Sequence, residues 1–171
     1  MTYNLHPIVV HFPIALLFLY SLIKIIPVSK WFRQVSWKQL ERLLLLAGVL
    51  GAVVASYTGE IAEVLTRPDY QLVEMHSWFA AIATWLYSLL LLGELLFLLK
   101  PLITRKPNFI AVTRVLDLLQ IILTHRTLSL IMAFLGLVAL SVTGLLGGVM
   151  VYGLSADPLA GIVLKLLGLA I

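Results

Sequence analysis

The sequence predicts an all-α integral membrane protein, a four-helix bundle with short interfacial helices, on three observations. Of the 171 residues, 61% are hydrophobic and 12% are charged, whereas a soluble domain has roughly 25% charged residues. The apolar residues form four long Leu-rich runs, and about 20 such residues cross a bilayer core as a helix. The chain has no Cys, which excludes disulfides, thiolate metal sites and covalent c-type haem. A soluble enzyme and a nucleic-acid-binding protein are both disfavoured, because too few polar side chains are present to coat a globule.

The four predicted spans make up one transmembrane domain over residues 1–171, with spans at about 8–26, 43–60, 76–99 and 127–152. Only helices and closed barrels satisfy the backbone in lipid, and runs this long and Leu-rich favour helices over barrel strands. The first run has no basic leader, so we expect a retained helix rather than a signal peptide.

Two shorter segments are predicted to lie on the membrane. The stretch 109–123 has apolar residues interrupted by polar ones at a three-residue period, which is typical of an interfacial helix. The apolar tail 158–171 is too short to span.

Charge asymmetry predicts the orientation. Ten of the twelve Lys and Arg residues fall in two loops, one between spans one and two and the other between spans three and four. Cytoplasmic loops of membrane proteins are enriched in Lys and Arg. We therefore expect both basic loops in the cytoplasm and both termini outside.

The candidate site lies where the outer ends of the spans meet, because three of the four histidines gather there. His11 lies near the start of the first span and His76 opens the third. Haem b needs no Cys, and cofactors of this kind are held in helical bundles by side chains on facing helices. We therefore predict His11 and His76 as axial ligands of a haem iron. The residues expected to line the cofactor at the same height are Gly59, Gly144, Gly147, Gly148 and Tyr152.

A faint internal repeat supports this pairing. Span two ends in Ser56-x-Thr58-Gly59, and span four contains Ser141-x-Thr143-Gly144. Two halves of the same orientation are related by an axis along the membrane normal. The repeat predicts that His11 and His76 lie at similar depths on opposite sides of that axis.

Other interpretations of the same residues stay open. His6 is a further candidate ligand, or a residue that simply opens the first helix before Pro7. Glu60 or Glu74 could complete a non-haem metal site with the histidines, or serve proton transfer beside a quinone. The histidines could equally be structural, each donating a hydrogen bond near the headgroups. Glu94, inside span three, is expected to pair with Lys100 or Arg42.

Three stretches resemble a bacterial family of four-helix membrane proteins, catalogued as domain of unknown function 2231. They are His6-Pro7-x-x-x-His11-Phe12-Pro13, the lone His76, and Thr143-Gly144-x-x-Gly147-Gly148-x-x-Val151-Tyr152-Gly153. The resemblance implies a prokaryotic inner-membrane protein, in some members fused to or encoded near cytochrome-like domains, and supplies no reaction. Family members often have a further His just after the Tyr of the last motif, where this chain has Gly153.

The function we predict is that of a small b-type membrane cytochrome or electron-transfer subunit. One haem b would lie near the outer face between helices one and three, and electrons would pass between a membrane quinol and an outer-face carrier. The expected partners are the lipid bilayer and other membrane subunits, with no nucleic acid. The alternative is a cofactor-free accessory or structural subunit of a larger membrane complex. No nucleophile–base constellation points to a stand-alone enzyme.

Overall fold

A computed structural model describes residues 4–103 and 110–169. Its helices are α1 (His6–Ile25), α2 (Trp37–Thr66), α3 (Tyr70–Ile103), α4 (Ile110–Thr124), α5 (Arg126–Tyr152) and α6 (Ala160–Leu166), with single 3-10 turns at Val28–Lys30 and Gly153–Ala156. Within these ranges there is no strand, and four helices, α1, α2, α3 and α5, are long and apolar enough to cross a membrane. The predicted all-α membrane bundle is confirmed.

The helices extend beyond the predicted spans because backbone hydrogen bonding continues past the apolar runs. α2 starts at Trp37 and ends where Arg67 adopts a left-handed φ of 45°. At the start of α3, the Asp69 carboxylate accepts a hydrogen bond from the Leu72 amide at 3.1 Å. The expected interfacial helix corresponds to α4, and the apolar tail contains α6; residues 109, 170 and 171 lie outside the described ranges.

The four long helices form a bundle in which α1 packs on α2 and α3 packs on α5. Further contacts join α1 to α5 and α2 to α3, so α1 and α3 lie on one diagonal of the bundle. Its core is mainly Leu, Ala and Tyr, and contains one buried polar pair, in which the Ser21 and Tyr87 hydroxyls are 2.7 Å apart. A hydrogen bond between these hydroxyls satisfies both groups inside an apolar interior.

The two ends of the bundle differ in chemistry. At one end, here called the basic end, Glu94 accepts hydrogen bonds from Lys38 at 2.6 Å and Arg42 at 2.9 Å, and Glu41 pairs with Lys24 at 3.3 Å. The expected pairing of Glu94 with Arg42 is confirmed. The opposite end, here called the His end, holds His6 and His76. There α6 docks through its buried residues Ala160 and Leu164.

The two helix pairs repeat the same packing. In each pair, one helix has a histidine and a bulky side chain eleven residues later. These two side chains lie against two glycines of the partner helix, which are also eleven residues apart. The first pair has His6 on Gly59 and Leu17 on Gly48; the second has His76 on Gly147 and Tyr87 on Gly136. The register of this packing relates His6 to His76, whereas the sequence repeat relates His11 to His76.

Candidate two-histidine site at the His end

The imidazole of His76 is fixed by a backbone carbonyl of α5. Its Nδ1 lies 3.0 Å from the Thr143 carbonyl oxygen. A carbonyl oxygen only accepts hydrogen bonds, so the proton of the neutral ring is on Nδ1 and the lone pair is on Nε2. The ring approaches α5 this closely because residue 147 is Gly, where a Cβ atom would lie 3.3 Å from the His76 Cε1.

The imidazole of His6 is fixed in the same tautomer by a side chain of α2. Its Nδ1 lies 3.0 Å from the Thr58 hydroxyl oxygen, and that hydroxyl donates its own proton to the Ala55 carbonyl at 3.0 Å. The hydroxyl therefore accepts from His6, which places the ring proton on Nδ1. Gly59 makes room for the ring, since a Cβ there would lie 3.2 Å from the His6 Cε1.

The two rings meet across the diagonal of the bundle. Their centroids are 6.5 Å apart and their planes are at 80°. Among residues 4–103 and 110–169, neither Nε2 has a hydrogen-bond partner, and no buried side-chain nitrogen or oxygen is left unpaired. Neither Nε2 atom is therefore fully enclosed by the described part of the protein. The described part of the chain contains no group of three or more metal-ligating side chains, so this site offers two imidazoles as ligands.

His11 lies outside this site. Its side chain is exposed, and its Nδ1–H donates to the Pro7 carbonyl on its own helix. The structure thus brings His76 together with His6, the secondary candidate ligand of the sequence analysis, and not with His11. Glu60 and Glu74, the other secondary candidates, are both exposed.

The small residues expected to line a cofactor have different surroundings. Gly59 and Gly147 accommodate the imidazole rings themselves, and Gly148 faces Ala156. Gly144 alone among the four has open space where a Cβ would be, and it follows Thr143, whose carbonyl holds His76. Tyr152 is exposed at the end of α5.

Thr58 and Thr143, which hydrogen-bond the two histidines, are not among the site residues predicted from the sequence. Both belong to the Ser-x-Thr-Gly repeat, so a signal exists in the sequence, but the repeat indicates related helices and does not identify hydrogen-bond acceptors. One threonine acts through its hydroxyl and the other through its carbonyl, a difference that residue types alone do not reveal.

The His end also has the side chains of a membrane boundary. Tyr57 precedes Thr58, and Trp78 follows His76 by two residues; these rings are 66% and 63% exposed. Exposed Trp and Tyr are enriched at both membrane–water interfaces. The two histidines therefore lie near one edge of the apolar region formed by the four spans, here called the apolar slab, and not at its centre.

Four apolar spans and a two-histidine end define the class of this molecule as a four-helix integral membrane protein. Within that class, the chain belongs to the family of predicted membrane proteins catalogued as DUF2231, whose profile matches residues 2–157. No curated protein and no solved structure matches the chain.

Proposed function

We propose that the protein is a small membrane cytochrome or electron-transfer subunit, in which His6 and His76 are the axial ligands of one haem b. The observation that supports this is the pair of adjacent imidazoles, each with its Nδ1 proton bound to an acceptor and its Nε2 lone pair unused. Histidines that bind metals usually donate their other ring N–H to a carbonyl or carboxylate in this way.

The dimensions of the pair fit the group. A metal ion lies roughly 2 Å from each imidazole nitrogen, which puts two opposed ring centroids about 6 Å apart. The separation of the His6 and His76 rings is 6.5 Å.

The chain's own residues perform three tasks in this proposal. A bound haem b supplies one-electron redox chemistry, and the protein sets its ligands and surroundings. The Thr58 hydroxyl and the Thr143 carbonyl hold the two rings in the tautomer that presents Nε2, and they increase the basicity of that nitrogen. The apolar bundle beneath the site keeps bulk water away from one side of it.

The proposal also gives an orientation and a place. The His end faces the outside and the basic end faces the cytoplasm of a prokaryotic inner membrane, because Lys and Arg accumulate at the basic end. Electrons would pass between a membrane quinol and an outer-face carrier, within a complex that contains other membrane subunits.

The test of ligation is a titration of the purified protein with hemin, followed by its absorption spectrum. The proposal expects binding of one haem per chain with a low-spin spectrum. His6→Ala and His76→Ala should each lose the low-spin spectrum, whereas the matched control His11→Ala should keep it. Loss in His11→Ala with retention in His6→Ala would refute the assignment.

The test of orientation uses the absence of Cys in the chain. A Cys introduced at Asp69, near the His end, should react in intact cells with a membrane-impermeant thiol reagent. A Cys introduced at Arg33, near the basic end, should react only after the cells are lysed. The opposite pattern would overturn the orientation.

A second candidate function is that of a cofactor-free structural subunit. The observation that favours it is that the two rings are nearly perpendicular and both Nδ1 atoms are already hydrogen-bonded. This arrangement would stabilise the packing of the diagonal helices α1 and α3. Under this alternative, hemin produces no defined spectrum, and the effect of His6→Ala is limited to a lower thermal stability.

A further inference from the structure

On helix α4 a polar face lies toward the bundle and an apolar face lies outward, the reverse of a surface helix on a water-soluble protein. The polar residues Thr113, Asp117, Gln120 and Thr124 recur along one side and are half-buried. Among residues 113–124, the exposed side chains are apolar apart from Arg114: Val115 and Leu118 are each 59% exposed, and Ile121 is 61% exposed. α4 packs mainly on α3, so its apolar face points away from the bundle.

The depth of the last turn of α4 in the membrane follows from one spacing along α3 and one contact between α3 and α4. His76 and Glu94 are eighteen residues apart on α3, which is about 27 Å along a helix and close to the roughly 30 Å of a hydrocarbon core. The last turn of α4 touches Gly93, where a Cβ would meet the Leu123 Cβ at 2.9 Å. The last turn of α4 therefore lies at the basic-end edge of the apolar slab, where headgroups meet acyl chains.

The charge around α4 is strongly positive. Among residues 4–103 and 110–169, eight of the ten Lys and Arg residues lie at the basic end, whereas only three of the eight acidic residues do. Glu41 and Glu94 are already paired with Lys24, Lys38 and Arg42. Arg114, in the second turn of α4, and Arg126, the first residue of α5, are exposed, and the ion pairs found within residues 4–103 and 110–169 involve neither of them.

We propose that α4 is an interfacial anchor that binds anionic phospholipid at the basic end, with the apolar side chains of its last turns in the acyl-chain boundary and Arg114 and Arg126 on the headgroups. Helices with one apolar face and basic flanks bind membrane interfaces in this manner, and each basic residue near an anionic surface adds to the attraction. This inference is independent of haem binding.

The depth of α4 is tested by fluorescence quenching in lipid nanodiscs. Leu118→Cys provides a unique labelling site on the apolar face, and Gln120→Cys is the matched control on the bundle-facing side of the same helix. A fluorophore at residue 118 should be quenched more strongly by nitroxide-labelled lipid than one at residue 120, and less by aqueous iodide. Equal quenching by lipid at both positions, or dominant quenching of residue 118 by iodide, would overturn the anchor.

Lipid selectivity is tested by reconstitution in equimolar phosphatidylglycerol and phosphatidylcholine, followed by mass spectrometry of the lipid that copurifies. The Arg114→Gln/Arg126→Gln double variant should lower the retained ratio of anionic to zwitterionic lipid by at least about twofold. Lys165→Gln, which removes an exposed charge at the His end, is the control and should leave the ratio unchanged. An unchanged ratio in the double variant would show that α4 does not recognise anionic lipid.

Discussion

The close contact between Gly136 and Tyr87 yields a sharp prediction about stability. A Cβ atom at residue 136 would lie 2.9 Å from Tyr87 Cζ and 3.1 Å from Tyr87 Cε2, whereas carbon atoms pack best at about 3.5–4.0 Å. The ring must therefore shift by several tenths of an ångström. Tyr87 is fully buried and its hydroxyl is bound to Ser21 at 2.7 Å, so this shift strains the core or breaks the hydrogen bond.

The expected cost of Gly136→Ala follows from two opposing terms. Overpacking costs about 1–3 kcal/mol, and replacing a mid-helix Gly by Ala recovers about 0.5–1 kcal/mol. The two terms combine to a net loss in unfolding free energy of about 0–2.5 kcal/mol, with about 1 kcal/mol expected, measured by denaturant unfolding in detergent. Gly144→Ala, on the same helix but with open space at its Cβ, is the control and should be neutral or stabilising.

A double variant isolates the cause. Tyr87→Leu shortens the side chain that the added methyl group would strike, so Gly136→Ala should cost much less in a Tyr87→Leu background than in the natural chain. If Gly136→Ala is as stable as Gly144→Ala in the natural chain, the packing of α3 on α5 described above is wrong.

Three further variants test other parts of the molecule. Glu94→Gln weakens two charge-assisted hydrogen bonds and should lower the unfolding free energy by about 1–2 kcal/mol, whereas the exposed Glu74→Gln should be neutral in the same unfolding assay. Arg67→Gly relieves a left-handed conformation and should raise the unfolding free energy by about 0.5–1 kcal/mol, seen as a higher melting temperature. A lower melting temperature would contradict this. Thr58→Val removes the acceptor of the His6 Nδ1–H and should weaken hemin binding about tenfold, with Thr66→Val as the unaffected control.

Much of the fold could be predicted from the sequence because membrane helices are encoded by composition. The four apolar runs are long enough to define spans without knowledge of tertiary contacts, and the separation of charge between loops indicates which ends lie together. The ends of α2 and α3 could not be predicted in the same way. There the helices continue into polar residues; α2 ends at the left-handed Arg67, and Asp69 caps the start of α3.

The site was harder to predict, and the reason is rotation about the helix axis. His6 and His11 lie on the same short segment, and the HPxxxHFP stretch does not say which of them faces the bundle. The answer depends on contacts between helices: Thr58 and Gly59 receive His6, while His11 bonds to its own helix through Pro7. The eleven-residue spacing of the glycines on α2 and α5 matches that of the side chains packed on them. The spacing identifies His6 only once those partner side chains are known.

Electron paramagnetic resonance of the ferric, hemin-loaded protein tests most directly whether His6 and His76 both coordinate one haem iron. The ring planes are at 80°, and two axial imidazoles in near-perpendicular planes give a strongly anisotropic low-spin signal. We expect that signal in the natural chain and in His11→Ala, and its loss in His6→Ala and in His76→Ala. A high-spin signal in the natural chain, or a low-spin signal that survives in His6→Ala, would contradict the claim.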